Sequence, residues 1–248
     1  MTAHHRIQLY WPGRTDTVAV MGRQLAAFLA GIAPLHPGLS RFLCDNLPAI
    51  SPAACEEALV RHAVLWRTGA TERTSYQARF YVDHKIGAPA AFTLTCGIEP
   101  LNLGPIFTPN RLEFLVRADV GDERASRAVL EGVLRRAVTV FEPDWAFAGS
   151  AQVPQAPKAV FSDGAPVVGW MTYLRAAFPP VPRTLPQPAV AYPVGSLGTL
   201  IVAHPEVFHD GDEAQLAAIE RVRGVLKAHG VLVPPSALGA TPGPAPAR

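Results

Sequence analysis

Four stretches of this 248-residue sequence carry side chains able to do chemistry. The first is Cys55. It falls in the first turn of a helix expected to begin at Ser51-Pro52, where the helix dipole lowers a thiol pKa. His62 shares its helix face two turns on, at roughly 10 Å, which is too far for a direct Cys–His pair. The second is HPEVFHDGD, residues 204–212, which gathers His204, Glu206, His209, Asp210 and Asp212. These residue types ligate metals, but their spacing fits neither a HExxH helix nor an EF-hand loop. A solvated loop with an aspartate capping the next helix accounts for the same residues. The third is Gly195-Ser196-Leu197-Gly198, which lacks the spacing of a GxSxG nucleophile elbow and reads as a turn before a strand.

The fourth is EPDWAFAGS, residues 142–150. Glu142 and Asp144 flank a proline, and Trp145 follows. As a glycosidase-like pair the two carboxylates would have to converge on one bond. As a corner, Pro143 stops a helix, Asp144 accepts backbone N–H groups in the turn, and Trp145 plugs the helix onto a sheet. As a contact surface, the same residues offer charge and an aromatic anchor. No Gly-rich phosphate loop is present, and Cys44, Cys55 and Cys96 lack CxxC spacing. The sequence therefore announces no cofactor and no metal.

The elements that position these groups follow from periodicity. RIQLYW, residues 6–11, alternates as a strand, with Ile7, Leu9 and Trp11 on one face. Residues 16–32 form an amphipathic helix through Val18, Met21, Leu25, Phe28 and Ile32. A second helix runs from Ser51-Pro52 to about Leu65. Period-two runs at 76–82, 92–96 and 112–117 predict an antiparallel meander with one polar face. Residues 123–141 form a third helix, and WAFAGSAQV a strand after it. VVGWMTYLRAAF is read as strand then helix within an irregular region, 152–193. GTLIVA is a buried strand. The last helix starts near Asp212, with an inner stripe of Leu216, Ile219, Val222, Leu226 and His229, and Gly230 stops it. The expected fold is α+β: a mainly antiparallel sheet with helices packed on one face. Residues 1–233 are expected to form one domain, and 234–248 a Pro/Ala-rich disordered tail.

Bulk properties narrow the function. The formal net charge is +2, and no Lys/Arg run exceeds Arg135-Arg136, which argues against direct nucleic-acid binding. No apolar run reaches the roughly 20 residues that span a bilayer, and no signal peptide is visible, so the expected compartment is the cytoplasm, with no membrane partner.

YWPGRTDTV at the N-terminus, the EPDW join, GWMTYL at 169–174 and GSLGTLIV at 195–202 resemble, in this order and at about these spacings, the immunity protein 52 family. The resemblance covers most of residues 6–232. It implies an α+β protein of bacterial polymorphic-toxin and type VI secretion systems that binds and neutralises a cognate toxin. It also implies a toxin of the restriction-endonuclease-like nuclease class. The residues that would touch the toxin are Trp145, Trp170 and Tyr173, with Glu142 and Asp144 supplying charge. Residues shared by a family whose partners differ tend to hold the common fold, so Trp11, Trp145 and Trp170 are expected in the core first. Two other classes compete: a small hydrolase using Cys55 or the His204/His209 acidic loop, and a structural component of a secretion system.

Overall fold

A computed structural model of the chain describes residues 4–11, 16–49, 51–68, 71–82, 90–97, 110–117, 119–120, 123–124, 126–150, 165–209 and 211–234. Thirteen strands and four α-helices occur among them. The strands are β1 (His4–Trp11), β2 (Phe42–Cys44), β3 (Leu47–Pro48), β4 (Ala63–Thr68), β5 (Thr71–Val82), β6 (Ala90–Cys96) and β7 (Asn110–Arg117). They continue with β8 (Asp119–Val120), β9 (Glu123–Arg124), β10 (Trp145–Ser150), β11 (Met171–Arg175), β12 (Val190–Val194) and β13 (Gly198–Val202). The helices are α1 (Val18–Ile32), α2 (Pro52–Arg61), α3 (Arg127–Phe141) and α4 (Glu213–Ala228). Apart from a separate β8–β9 pair, the strands form one antiparallel sheet, ordered β12-β13-β11-β10-β1-β7-β6-β5-β2-β3, with β4 also on β5. The fold is α+β and mainly sheet, as the periodicity predicts. The expected tail lies outside the described residues except for Pro234.

The helix starts are built as the sequence suggests. Thr17, Ser51, Ser126 and Asp212 each accept an N–H from three residues on, satisfying one of the donors a first turn leaves unpaired. α1 and the 3₁₀ turn after it make an 18-residue apolar stretch, Val18–Leu35, long enough by composition to cross a bilayer. Here its Met21, Leu25, Phe28 and Ile32 are buried in the core.

β1 sits mid-sheet. Tyr10 pairs with Arg111 of β7 on one side and with Trp145 of β10 on the other. Its alternation divides the apolar residues into two layers. On one face Ile7, Leu9 and Trp11 join the buried sides of α1, α2 and α3. Phe80, Phe92 and Phe114 are cross-strand neighbours on this face, with ring centroids 4.7 and 5.8 Å apart. Phe28 of α1 meets Phe92 and Phe114 edge-on, at 5.8 and 6.0 Å. Such offset and edge-to-face arrangements suit the ring quadrupoles.

The helices do not all pack on one face. Val222 and Leu226 of α4 cluster with Tyr10, Trp145, Leu174 and Ile201, on the opposite side. The reason lies in β10, β11 and β13, which are apolar on both faces and need cover on both, unlike the β5–β7 meander. Leu216 and His229, expected on the inner stripe of α4, are exposed. His4 and His5, expected at a frayed terminus, open β1, and His5 is buried.

Three further differences concern boundaries. α2 ends at Arg61, where a helix to Leu65 is expected, and residues 63–68 pair with β5 instead. The segment after β11 is a turn, not a helix. β12 falls in the region expected to be irregular; its Pro193 is tolerated because β12 is an edge strand.

Phe92 stacks on Phe80 and Phe114 and meets Phe28 and Phe42 edge-on. Phe92→Ala is expected to cost about 3–5 kcal/mol, read as a lowered midpoint in a urea melt at unchanged slope.

Candidate functional site

The EPDW join is a corner, and its bonds show how it is held. The amide of Glu142 donates to Val138 O at 2.9 Å, closing α3. Glu142 then turns into the left-handed region, φ 43° and ψ 57°, because the following proline disfavours another α residue. Its side chain is exposed. Asp144 N–H donates to Tyr10 O at 2.9 Å, and Asp144 O accepts from Arg175 N at 3.0 Å. The Asp144 carboxylate accepts from Arg175 Nη1 at 2.8 Å, and its side chain is 9 % exposed. One residue thus ties β1, β10 and β11 together through both backbone and side chain. Glu142 is exposed, while Asp144 is buried and pairs with Arg175.

The aromatic candidates are all buried. Trp145 stacks on Tyr10 at 4.2 Å and lies 5.9 Å from Phe147. Trp11 stacks on Phe141, the last residue of α3, at 5.6 Å. Trp170 is 1 % exposed, and its indole N–H donates to His204 O at 2.9 Å. Tyr173 is equally buried, and its hydroxyl donates to Leu197 O at 2.8 Å. Burial pushes the Tyr10 phenol up to about 12 and raises that of Tyr173 as well. Trp170 and Tyr173 each place an apolar body in the core and spend the polar tip on a backbone carbonyl.

The glycines of GSLGTLIV have equally local causes. Gly195 sits at φ +53° in the turn between β12 and β13. A Cβ on Gly198 would come within 2.2 Å of Leu174 O, so only glycine allows β13 to approach β11 there.

Among the described residues, the groups proposed for hydrolysis are not assembled. Cys55 is fully buried, and its thiol lies 3.9 Å from Ala49 O. Burial, then the neighbouring Cys44, pushes it up to about 12, opposite to the activation a helix N-terminus gives an exposed thiol. In the 204–212 stretch, His204 Nδ1 accepts from Glu206 N, and Asp212 caps α4. Gln215 Oε1 accepts from His209 N, while Gln215 Nε2 donates to Val207 O. These are bonds that fix a loop. Asp210 lies outside the described residues.

A different cluster forms at His62, which the sequence places only on the helix face of Cys55. Asp45, in the β2–β3 turn, meets His62 at the end of α2, with Nε2 to Oδ2 at 2.8 Å. Arg61 Nε lies 3.5 Å from the same oxygen, and its Nη1 is 2.7 Å from Glu57 Oε1. The hydrogen bond from His62, followed by the charges of His62 and Arg61, holds the Asp45 carboxyl below its ordinary range. The neighbouring apolar side chains Leu47, Val60 and Leu65 are about half exposed. The sequence signal for this corner is Asp45-Asn46 between apolar residues, a two-residue hairpin turn.

The family model for Immunity protein 52 matches residues 104–235, just over half of the chain. The chain belongs to the immunity protein 52 family. EPDW, GWMTYL and GSLGTLIV fall inside the matched region, while YWPGRTDTV and the Asp45–His62 corner lie before it. Among solved structures, the chain is similar to Pseudomonas aeruginosa T6SS protein PA0821, with 13% identity and a TM-score of 0.48, over 90% of this chain and 73% of that one. No curated protein matches it.

Two outcomes follow from this geometry. Trp145→Ala and Trp170→Ala are each expected to destabilise by about 3–5 kcal/mol in a denaturant melt. Glu142→Gly removes the cost of a left-handed side-chain-bearing residue and is expected to raise stability by about 1 kcal/mol in the same assay. Thiol labelling provides the pH test. The buried thiols of Cys55 and Cys96 are held protonated up to about 12. In the native protein they are therefore expected to resist labelling at pH 9, where exposed thiols react. The unfolded chain then releases thiol protons that the folded chain retains. Stability is full below the ordinary thiol pKa and falls as pH rises toward 12.

Proposed function

We propose that this protein is a cytoplasmic immunity protein that binds a cognate secreted toxin directly and neutralises it, without catalysis of its own. We also propose that the toxin is a restriction-endonuclease-like nuclease of a polymorphic-toxin or type VI secretion system. The observation that carries this reading is membership of the immunity protein 52 family across residues 104–235. The buried signature residues give it a physical form. Trp11, Trp145, Trp170 and Tyr173 build a rigid sheet, which leaves contact with a partner to exposed side chains. Inhibition is then steric: a preformed surface covers the toxin's active site or blocks a rearrangement it needs, and little binding energy goes into ordering the inhibitor.

The contact surface we favour is the far edge of the sheet, where Leu47, Val60 and Leu65 are exposed beside the charged groups of Asp45, Arg61 and His62. Apolar anchors with a polar rim are the usual anatomy of a binding surface. The chain as a whole carries a formal net charge of +2. Electrostatic steering toward a basic nuclease groove would therefore need a local acidic cluster.

The test is co-expression with the product of the neighbouring toxin gene, followed by co-purification and rescue of growth. A stoichiometric complex with rescue is expected, along with loss of the toxin's DNA cleavage in the purified mixture. Val60→Asp and Leu65→Asp are expected to melt as wild type and weaken binding at least about tenfold, or 1.4 kcal/mol. Absence of any complex with the folded protein would refute the immunity role. Full-strength binding by both variants would refute the proposed surface.

A further inference from the structure

The edge of the sheet farthest from β12 brings three metal-ligating side chains together. Cys44 ends β2, Asp45 follows it in the turn, and His62 caps the C-terminal end of α2. Cys44 Sγ, a carboxylate oxygen of Asp45 and an imidazole nitrogen of His62 all lie within 4.8 Å of one another. From this arrangement we infer that Cys44, Asp45 and His62 form a binding site for a divalent transition-metal cation of the zinc class.

The backbone that carries these groups is fixed from several directions. Asp45 and Asn46 have φ values of 52° and 63°, the left-handed pair of a two-residue type I′ hairpin. Tyr81 of β5 holds this turn: its hydroxyl donates to Asn46 Oδ1 at 2.7 Å and accepts from Asn46 N at 3.2 Å. His62 N–H donates to Leu59 O at 3.0 Å, and its carbonyl accepts from Gln77 N at 3.1 Å. The three groups thus sit on a pinned turn and a pinned helix end. Little ordering remains for an ion to impose.

The donor set selects the ion. One sulfur, one nitrogen and one oxygen suit a borderline-soft cation that accepts four ligands. Calcium and magnesium want more oxygen ligands and have no use for a thiol. Cys44 approaches from the core side, with the residue 1 % exposed, while the Asp45 side chain is 49 % exposed. Three protein ligands leave the fourth tetrahedral position toward solvent, for a water molecule. Arg61 stands beside this cluster, its Nε 3.5 Å from Asp45 Oδ2, and an ion must displace it from that oxygen. Its guanidinium also holds Glu57 Oε1 at 2.7 Å, so it keeps a partner when an ion takes Asp45. A bound ion ties the β2–β3 turn to the end of α2. This inference does not rest on toxin binding and is tested on the protein alone.

The test is titration of the purified full-length protein with cobalt(II), followed by displacement with zinc. One equivalent is expected to give tetrahedral visible bands and a near-ultraviolet thiolate-to-cobalt band, both lost on adding zinc. Asp45→Asn retains the turn, because asparagine tolerates the left-handed region, and His62→Gln retains the helix end. Each is expected to weaken cobalt binding by more than about tenfold, since loss of even an outer partner of a metal site costs that much. Cys44→Ser is expected to abolish the thiolate band. Should that buried substitution unfold the chain, the two exposed variants still decide. Zinc is expected to raise the melting temperature of the wild type and not that of His62→Gln. No thiolate band, or unchanged affinity in Asp45→Asn and His62→Gln, overturns the inference.

Discussion

The structure depends on the position of β1 between β7 and β10. Its backbone completes two ladders at once, one to a meander that follows it by about a hundred residues, the other to the strand after α3. Without β1 the chain holds two smaller sheets, each with an edge lined by unpaired N–H and C=O groups. With it, both halves share one sheet, and side chains on its two faces bury into two separate apolar layers. The corner at Asp144 reinforces this junction. It spends a backbone donor on β1, and both a backbone acceptor and a carboxylate on β11. A short loop thereby sets the register of three strands.

The stretches EPDW, GWMTYL and GSLGTLIV, which fall inside the family-matched span, have a physical task in this fold. Trp145, Trp170 and Tyr173 fill the layers on either side of the central strands; Trp145 stacks on Tyr10, and the polar tips of Trp170 and Tyr173 donate to backbone carbonyls. Gly195 and Gly198 let β12 and β13 close onto β11. The corner at Asp45, Arg61 and His62 lies outside the family-matched region, on the opposite end of the sheet, with exposed apolar neighbours.

Local patterning made much of this legible. α1 and α3 show apolar stripes at helical spacing, and Thr17 and Ser126 are recognisable caps, although α3 starts at Arg127 rather than 123. The meander alternates as its single buried face requires. What escaped depends on contacts distant in sequence. Val64 and Leu65 continue the α2 pattern and become strand only through pairing with β5. α4 covers the second face because WAFAG, MTYL and TLIV are apolar on both sides, a hint that the strand reading did not carry to its consequence. The Cys44–Asp45–His62 cluster joins a turn to a helix end 17 residues later, a proximity that no spacing rule encodes. The EPDW corner was legible as one of three alternatives. Arg175, 31 residues away, donates to Asp144 and ties this corner to β11.

The central claim is that the signature corner holds the sheet while the partner binds elsewhere. Amide hydrogen exchange, measured on the free protein and on its complex with the toxin, tests it most directly. The account predicts that the amides of Asp144, Arg175 and the middle of β1 exchange only through global unfolding in the free protein. It further predicts that toxin binding adds protection at residues 45–65 and leaves the corner's local protection ranking unchanged. A corner that exchanges early in the free protein and becomes protected only in the complex would contradict it.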